Sequence, residues 1–279
     1  MLICNKLSTD SPYLPLFVPA TRPDRFERAA TSGASAIIID LEDAVAVGEK
    51  ARARIQAAGG ITEFLAAKAD VFVRINTFGT TWYDEDVAMV AASPLSGVML
   101  PKCESPEVIQ SLKQRLPSNA LIIALIETPL GMARARSIAT VADRIAFGSI
   151  DYAVAINAFH TPRALAAARS ELVLAAALAG RPAPIDGVTV ETSDRRRILM
   201  DSRHSACMGM GGKLLIHPQQ IEPARQAYRP TDEDIARAKK VVQTTDAGAT
   251  VIDGRMVDAP VIAWARRILA MHEATCTDD

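Results

Sequence analysis

The chain has 279 residues, of which 49% are hydrophobic and 23% are charged, and its formal net charge is -1. This composition is typical of a packed globular protein, and charges spread without blocks of one sign argue against nucleic acid or an anionic membrane as the main partner. No apolar stretch is long enough to cross a bilayer, the N-terminus lacks a signal-peptide pattern and the four cysteines are scattered, so we expect a cytoplasmic protein with free thiols.

Short apolar runs alternate with segments of helical spacing along most of the chain. The runs predicted to be strands are 16–19, 37–40, 71–76, 97–100, 121–127, 144–148, 183–185 and 213–216. The segments predicted to be helices are 23–32, 48–67, 83–92, 105–116, 128–142, 161–179, 193–208 and 218–228. The pairs Ser105-Pro106 and Thr128-Pro129 predict two helix starts, because a hydroxyl N-cap followed by proline is favoured there.

Eight strand–helix units are complete by about residue 228. Alternation of this kind indicates a parallel sheet, and eight units favour its closure. We therefore predict an α/β fold, a (β/α)8 TIM barrel over 1–228, with a C-terminal helical extension over 229–279. The extension holds two predicted helices, 231–243 and 259–272, and a loop or short hairpin at 248–258. The alternative is an open doubly wound sheet, although no GxGxxG motif follows a strand.

The apolar runs end on polar or charged residues. In a parallel barrel the carboxyl ends of all strands lie on one face, and active sites are built there. We expect ten side chains to converge on that face: Asp40, Glu42, Asp43, Arg74, Asn76, Lys102, Glu127, Asp151, Asp186 and His217.

Two of these carboxylates indicate a metal site. Glu127 and Asp151 end neighbouring runs and have no lysine in their own motifs. Such a pair suits Mg²⁺, which usually takes one or two protein carboxylates and fills its shell with substrate and water. Glu42 and Asp43 would then orient those waters. The alternative is a set of ion pairs between the acids and nearby basic residues.

The basic residues of this face allow more than one interpretation. Arg74 lies inside an apolar run, where its charge needs an anion or strong acceptors. It either forks onto a substrate carboxylate or carbonyl oxygen, or pairs with Glu42 or Asp43. Lys102 is interpreted as a partner of the acids, because a Schiff-base lysine would need an apolar pocket. His217 is interpreted as a hydrogen-bonded strand-end residue and not as a metal ligand.

Seven segments in order make the chain recognisable: LFVPATRPDRFERAATSGASAIIIDLEDAV, VRINTFGTTWYDEDV, VMLPK, IETPLG, FGSIDYA, IHPQQI and DGRMVDAPVIAWARRIL. Over about residues 14–270 they resemble the citrate lyase β-subunit-like family of the HpcH/HpaI aldolase group. The resemblance implies a Mg²⁺-dependent carbon–carbon lyase that cleaves or forms citryl-, malyl- or citramalyl-CoA, giving acetyl-CoA or a homologue and a 2-oxo acid. It also implies a homotrimer or a multiple of it, with the C-terminal extension packed on a neighbouring subunit.

The resemblance assigns roles to individual residues. The implied catalytic residues are Arg74, Glu42, Asp43 and Asp258, the implied metal ligands are Glu127 and Asp151, and the implied substrate-binding residues are Arg74 and Glu127. Asp258 is similar to an acid that the C-terminal segment often supplies to a neighbouring subunit's site. The other interpretation of Asp258 is an N-cap for the helix that follows it.

The chain departs from the family pattern at two places, both expected near the mouth of the barrel. An Arg-Ser pair commonly precedes LFVP, where this chain has Tyr13-Leu14-Pro15, and a second aspartate commonly occupies the position of Ala155. The metal pair is kept, so metal-assisted enolate chemistry is expected, whereas the contacts to CoA need not be those of the family. Three alternatives follow: a CoA-independent aldolase for hydroxy-oxo acids, a malyl-CoA-type thioesterase and a non-catalytic subunit of a lyase complex.

Overall fold

The computed structural model describes residues 13–243 and 250–277, which form two compact units, one up to Ala227 and one from Tyr228 onward. The first unit holds eight parallel strands that pair in chain order: β1 Pro15–Pro19, β2 Ala36–Asp40, β3 Asp70–Arg74, β4 Gly97–Leu100, β5 Leu121–Ile126, β6 Arg144–Phe147, β7 Ile185–Asp186 and β8 Gly212–Lys213.

The sheet closes because β8 also pairs with the segment around β1. A parallel bridge joins Tyr13 to Gly212. Backbone hydrogen bonds cross the same seam from Lys213 N to Tyr13 O at 3.1 Å and from Phe17 N to Leu215 O at 2.8 Å. Gly212 permits this approach, since a Cβ there would lie 2.0 Å from Tyr13 O. The predicted TIM barrel is therefore confirmed, and the open sheet is excluded.

Apolar side chains fill the barrel interior. They come from β2 to β7 and from the residues next to β1 and β8: Tyr13, Ala36, Ile38, Phe72, Met99, Ile123, Leu125, Ala146, Ile185 and Leu214. Because successive strand residues point to opposite faces, the residues next to these point outward toward the helices. Burial of each large apolar side chain contributes roughly 1.5–3 kcal/mol, so this interior is a packed core that supports the polar residues above it.

Helices follow the strands around the barrel: α1 Phe26–Ala30, α2 Lys50–Gly60, α3 Glu63–Lys68, α4 Tyr83–Ala91, α5 Pro106–Arg115, α6 Pro129–Ala133, α7 Ala135–Val141, α8 Ser149–Ala155, α9 Ala166–Leu178, α10 Arg195–Cys207 and α11 Ile221–Tyr228. Short 3₁₀ turns occupy Pro23–Arg25, Val47–Glu49 and Pro218–Gln220. Both predicted N-caps are confirmed. Ser105 Oγ accepts from Glu107 N at 3.2 Å, and Thr128 Oγ1 accepts from Gly131 N at 3.0 Å.

Three helical segments differ from the prediction. The single helix expected over 48–67 is broken after Gly60, where Thr62 Oγ1 accepts from Leu65 N at 3.3 Å and starts α3. Glycine has a low helix propensity, so a break at the Gly59-Gly60 pair is physically reasonable. The helix expected over 128–142 is divided at Arg134 into α6 and α7. No helix was predicted directly after β6, yet α8 begins at Ser149.

The second unit contains a helix, a hairpin and a longer helix. Its elements are α12 Asp232–Gln243, β9 Thr250–Ile252, β10 Arg255–Val257 and α13 Ala259–Thr277. The two strands pair antiparallel, and Asp253 and Gly254 turn between them with φ of 49° and 74°. Two consecutive residues with positive φ are typical of a tight hairpin turn. The predicted hairpin is confirmed for these strands, while residues 248 and 249 lie outside the described residues.

Two further expectations concern composition. Among the described residues, Cys103 and Cys207 are free thiols, whereas Cys4 and the side chain of Cys276 lie outside them. Residues 1–12, which carry most of the N-terminal pattern, also lie outside the described part of the chain. No helix in 13–243 or 250–277 combines the length and the apolar character needed to cross a membrane.

Candidate active site

A cavity of about 430 Å³ opens at the carboxyl ends of the strands, and we call it the mouth cavity. Its apolar lining includes Phe17, Leu125, Phe147, Val188 and Leu214. Its charged lining consists of Asp40, Asp43, Arg74, Glu127 and Asp151. The volume suits a small molecule, and charged groups above an apolar floor are the usual composition of a binding site.

Arg74 is held at the mouth cavity by a two-pronged ion pair with Asp40. Nε lies 2.7 Å from Oδ1 and Nη2 lies 2.6 Å from Oδ2. The two residues end β2 and β3 directly opposite each other in the register of the sheet. Burial opposes the charge of Arg74, but Asp40 and the neighbouring acids outweigh it and raise its pKa above the ordinary value. Arg74 is therefore a permanently charged group in one fixed orientation.

The remaining guanidinium nitrogen faces the acidic pair. Arg74 Nη1 lies 3.2 Å from Asp43 Oδ2 and 3.2 Å from Glu42 Oε2. Lys102 Nζ bonds to Glu42 Oε1 and lies 3.8 Å from Asp43 Oδ1. The interpretation of Lys102 as a partner of the acids is confirmed. Apart from this ion pair with Arg74 Nη1, the buried Glu42 Oε2 makes no hydrogen bond within the described residues.

Backbone contacts fix the acidic loop. Lys50 Nζ donates to Leu41 O at 2.8 Å and to Glu42 O at 2.6 Å. Asp40 accepts from Glu42 N at 2.8 Å and from Ala44 N at 3.1 Å. Asp40 is among the residues expected to converge, but its pairing with Arg74 was not predicted, and neither was the contact of Lys50 with the loop. The side chains of Glu42 and Asp43 are consequently presented by a rigid loop.

Glu127 is a buried carboxylate with few hydrogen bonds to compensate its negative charge. It is 3% exposed, and its one hydrogen bond from the described residues comes from the backbone N of Lys102, 2.7 Å from Oε1. Burial and the nearby charge of Glu42 raise the pKa of Glu127 to about 8. Gly148 makes room for it, since a Cβ at Gly148 would lie 2.3 Å from Glu127 Oε2. The geometry keeps a carboxylate where its charge is unfavourable unless a cation is close.

Asp151 lies across the same cavity. It belongs to the first turn of α8 and not to the end of β6, and it is partly exposed. Within 13–243 and 250–277, neither Asp151 nor Glu127 forms an ion pair with a basic side chain, unlike the other acids of the mouth cavity. No set of three or more His, Cys, Asp or Glu residues in these ranges forms a complete metal cage. Two oxygen ligands fit Mg²⁺, which completes its shell with substrate and water.

Five of the ten residues expected to converge do not line the mouth cavity. Glu42 and Lys102 still contact its lining residues Arg74 and Asp43, whereas Asn76, Asp186 and His217 make other contacts. Asn76 Nδ2 donates instead to Asp86 Oδ2 at 2.6 Å. Ile185 points into the barrel, so strand alternation turns the next residue outward, where it pairs with Arg169. The histidine caps the 3₁₀ turn that follows it by accepting from Gln219 N at 3.2 Å, which confirms its interpretation as a hydrogen-bonded strand-end residue.

Asp258 belongs to the second unit, where it contacts the first turn of α13. Its Oδ1 accepts from Val261 N at 3.3 Å, and its carbonyl accepts from Ile262 N at 3.0 Å. These contacts are those of an N-cap for α13, so that interpretation is confirmed. The role of Asp258 as an acid stays a prediction, as do the roles assigned to the mouth residues.

The raised pKa of Glu127 predicts a pH-dependent stability. In magnesium-free buffer, the wild-type protein should lose stability relative to Glu127→Gln as the pH rises from 4.5 to about 8. In that window the folded state keeps a proton that the unfolded state has released, so the free energy of unfolding falls with rising pH. Thermal unfolding midpoints of both proteins across the window provide the measurement. Parallel curves would contradict the prediction.

Family models match almost the whole described chain. A model for HpcH/HpaI aldolase/citrate lyase matches residues 14–218, and a model for C–C bond lyases of the TIM-barrel fold matches residues 189–275. A citrate lyase subunit beta-like protein of Deinococcus radiodurans is 35% identical over 93% of this chain and 96% of its own length. Sequence relatives therefore cover both units of the structure.

Solved structures agree with the family models. Protein CitE of Mycobacterium tuberculosis in complex with magnesium, acetoacetate and coenzyme A has a TM-score of 0.85 and 31% identity, covering 95% of this chain and 100% of that one. The citrate lyase beta subunit of M. tuberculosis with oxaloacetate and magnesium has a TM-score of 0.69 and 31% identity, covering 80% of this chain and 99% of that one. The chain therefore belongs to the HpcH/HpaI aldolase/citrate lyase family, which confirms the predicted family and the predicted enzyme class, a carbon–carbon lyase.

Proposed function

We propose that this protein is a Mg²⁺-dependent lyase that cleaves or forms a 3-hydroxyacyl-CoA thioester such as citryl-, malyl- or citramalyl-CoA. The products of cleavage are a 2-oxo acid and acetyl-CoA or a homologue. One observation carries the proposal: the mouth cavity holds two carboxylates, Glu127 and Asp151, that form no ion pair with a basic side chain of the described residues and lie beside the fixed cation Arg74. The magnesium, oxaloacetate and coenzyme A in the solved relatives support the same chemistry.

Each residue of the site has its own role in the proposed reaction. Glu127 and Asp151 would hold the ion, which when bound would supply Lewis-acid polarisation of the oxygens of the 2-oxo acid. Arg74 would present Nη1, which also lies 3.2 Å from Asp43 Oδ2 and Glu42 Oε2, to the oxygen whose charge changes, because Nε and Nη2 both bond to Asp40. In cleavage, a base takes the hydroxyl proton, the carbon–carbon bond breaks, and its electron pair passes to the enolate of the thioester. Asp258 then donates a proton to the enolate carbon.

The two departures from the family pattern differ in their importance. Tyr13 packs on Arg144, with the guanidinium carbon 5.0 Å from the ring centre, at the amino ends of the strands. The expectation that this segment lies near the mouth is therefore wrong, because it enters β1 from the opposite end of the barrel. Ala155 ends α8, the helix that carries Asp151, so it is the departure that bears on substrate contacts.

The test is product release from citryl-, malyl- and citramalyl-CoA with and without Mg²⁺. Metal-dependent formation of a 2-oxo acid together with an acyl-CoA supports the lyase and names the acyl group. Free CoA with an intact hydroxy acid would indicate a thioesterase instead. Turnover of CoA-free hydroxy-oxo acids, with none of the thioesters, would indicate the CoA-independent aldolase. Absence of any turnover, with a carrier protein recovered by pull-down, would indicate a non-catalytic subunit.

We also propose a homotrimer or a multiple of it, in which the unit from Tyr228 onward packs on a neighbouring subunit. The resemblance to the family supports this arrangement, and Asp258 would then serve the neighbour's mouth cavity. Mixing Asp258→Asn and Arg74→Met proteins tests it, because a shared site restores part of the activity. Failure to restore activity in a mixed oligomer of confirmed size would count against a shared site.

A further inference from the structure

Lys102 lies in the turn after β4 and has a backbone conformation that is unusual for its residue type. Its φ is 45°, in the left-handed region that glycine adopts readily. A residue with a Cβ is disfavoured there, and such residues are found mainly at functional sites, where the surrounding structure holds them. The turn therefore carries a lysine at a position where the backbone alone would favour glycine.

Neighbouring elements hold this turn in place. Cys103 N donates to Leu125 O at 3.1 Å, which joins the turn to β5. The start of α6 also packs on the turn, since a Cβ at Gly131 would lie 2.5 Å from Cys103 O. Cys103 itself is 2% exposed. The backbone of Lys102 is thus fixed by its surroundings, and so is the direction of its N–H group.

Lys102 contacts two acids of the site through two different groups. Its backbone N donates to Glu127 Oε1 at 2.7 Å, and its ammonium bonds to Glu42 Oε1. Thr77 Oγ1 also donates to Glu42 Oε1, at 3.1 Å, but it is neutral. The side chain of Lys102 is 35% exposed and that of Glu42 is 7% exposed, so a partly exposed ammonium neutralises a buried carboxylate. Glu127 receives only an uncharged N–H group from the same residue.

The other basic side chain at Glu42 is shared with further acids. Among the described residues this is Arg74, whose Nη1 lies 3.2 Å from Glu42 Oε2. Arg74 also pairs with Asp40 through Nε and Nη2, and with Asp43 through the same Nη1. Three acids thus share one guanidinium. The ammonium of Lys102 is therefore needed to compensate the charge of Glu42.

Removal of this ammonium would change which acids can hold a cation. Glu42 would become a poorly compensated carboxylate close to Glu127, because Lys102 contacts both of them. One or two carboxylates are the usual protein ligands of Mg²⁺, so such a pair would attract the ion. With the ammonium in place, Glu127 and Asp151 are the acids of the mouth cavity that form no ion pair with a basic side chain of the described residues.

We propose that Lys102 is a positioning residue that keeps the divalent ion away from Glu42 and directs it to Glu127 and Asp151. The inference rests on the magnesium site of the proposed function and adds a residue that acts on the ion through the acids. The ammonium neutralises Glu42, while the backbone N occupies Glu127 Oε1 and leaves Oε2 of that residue without a hydrogen bond from the described residues.

The experiment is titration calorimetry of the full chain with magnesium chloride, together with thermal unfolding at the same magnesium concentrations. Lys102→Met should bind Mg²⁺ about three- to tenfold more tightly than wild type, because a positive charge near the ion has been removed. Its turnover should nevertheless fall about tenfold or more, since an ion drawn toward Glu42 positions the substrate poorly. A purely structural role for Lys102 predicts the opposite change in affinity, because a damaged site binds Mg²⁺ more weakly.

Two further variants test whether the effect acts through Glu42. In the double variant Lys102→Met, Glu42→Gln, the affinity for Mg²⁺ should return to within about twofold of wild type, because the uncompensated carboxylate is gone. Asp151→Asn should strongly weaken magnesium binding in the wild-type background. In the Lys102→Met background it should have little effect, since Glu42 then takes the place of Asp151.

Control variants separate the charge from the fold. Lys102→Gly removes the same ammonium and suits a φ of 45°, so it should fold and should also bind Mg²⁺ more tightly. Lys102→Arg keeps the charge, and Glu171→Gln changes an acid on the outer helices, so both should bind Mg²⁺ as wild type does.

The possible failures are distinguishable. Absence of magnesium binding by wild-type protein would overturn the proposed metal site and this inference with it. If wild type binds Mg²⁺ but Lys102→Met and Lys102→Gly bind it equally or more weakly, only the role of Lys102 is overturned. Tighter binding that Glu42→Gln does not reverse would overturn that role as well.

Discussion

Replacing Glu127 by glutamine is expected to lower magnesium-dependent turnover by about 10³-fold, or about 4 kcal/mol of transition-state stabilisation. The amide keeps the shape of the side chain but loses the charge that would hold the ion. The protein should still fold, because a neutral group suits this buried position, where the pKa of the carboxyl is already about 8. Asp151→Asn should lower turnover by a similar factor.

Magnesium binding provides a second measurement that does not depend on turnover. A ligand that binds only the folded state raises its stability, so Mg²⁺ should increase the unfolding midpoint of wild-type protein. Glu127→Gln should lose this increase, whereas Glu171→Gln, a control on the outer helices, should retain it. Full turnover or an unchanged magnesium response in Glu127→Gln would show that the ion is held elsewhere.

Replacing Arg74 by methionine is expected to lower the free energy of unfolding by about 3–5 kcal/mol. The change leaves Asp40, which is 2% exposed, as a buried charge without its guanidinium partner. Turnover should fall as well, by about 10²–10³-fold, because the fixed donor for the substrate oxygen is removed. Urea unfolding followed by circular dichroism measures the first effect, and the Mg²⁺-dependent assay measures the second.

Two control variants test whether the loss of stability comes from breaking the buried Arg74–Asp40 pair and not from removing any charged side chain. Arg136→Met breaks an exposed ion pair with Glu171 and should change stability by less than about 1 kcal/mol. The double variant Asp40→Asn, Arg74→Met should regain part of the lost stability, since no uncompensated charge remains. If the double variant were as unstable as Arg74→Met, the loss would come from packing of the arginine and not from Asp40.

Strand positions were predictable because each buried strand is a short apolar run with a polar end. That same reasoning placed Arg74, Glu127 and Asp151 at one cavity. It failed for Asp186, because the last residue of a strand points inward or outward according to alternation, and β7 is only two residues long. A tail residue therefore belongs to the mouth only when its neighbour faces the helices.

Two other features of the site could be predicted only from the strand register or from the backbone structure. Asp40 and Arg74 end neighbouring strands, and this could have predicted their ion pair once the strand order was assumed. The helix α8 was missed because its seven residues show little periodicity, and Asp151 was consequently assigned to a strand end. Gly148 has no side chain that could mark it as a site residue in the sequence. Only the close approach of Glu127 in the structure explains why this position is a glycine.

The seam between β8 and β1 is the part of the barrel that we expect to open first. β7 and β8 have two residues each, while β1 to β6 have four to six, and four backbone hydrogen bonds between described residues cross the seam. It also joins parts of the chain about 200 residues apart, as in the bridge from Tyr13 to Gly212, and such distant pairings form late in folding. Amide hydrogen exchange at Lys213 and Leu215 should accordingly be faster than in β2 to β5, as a local breathing motion that leaves the rest of the ring closed.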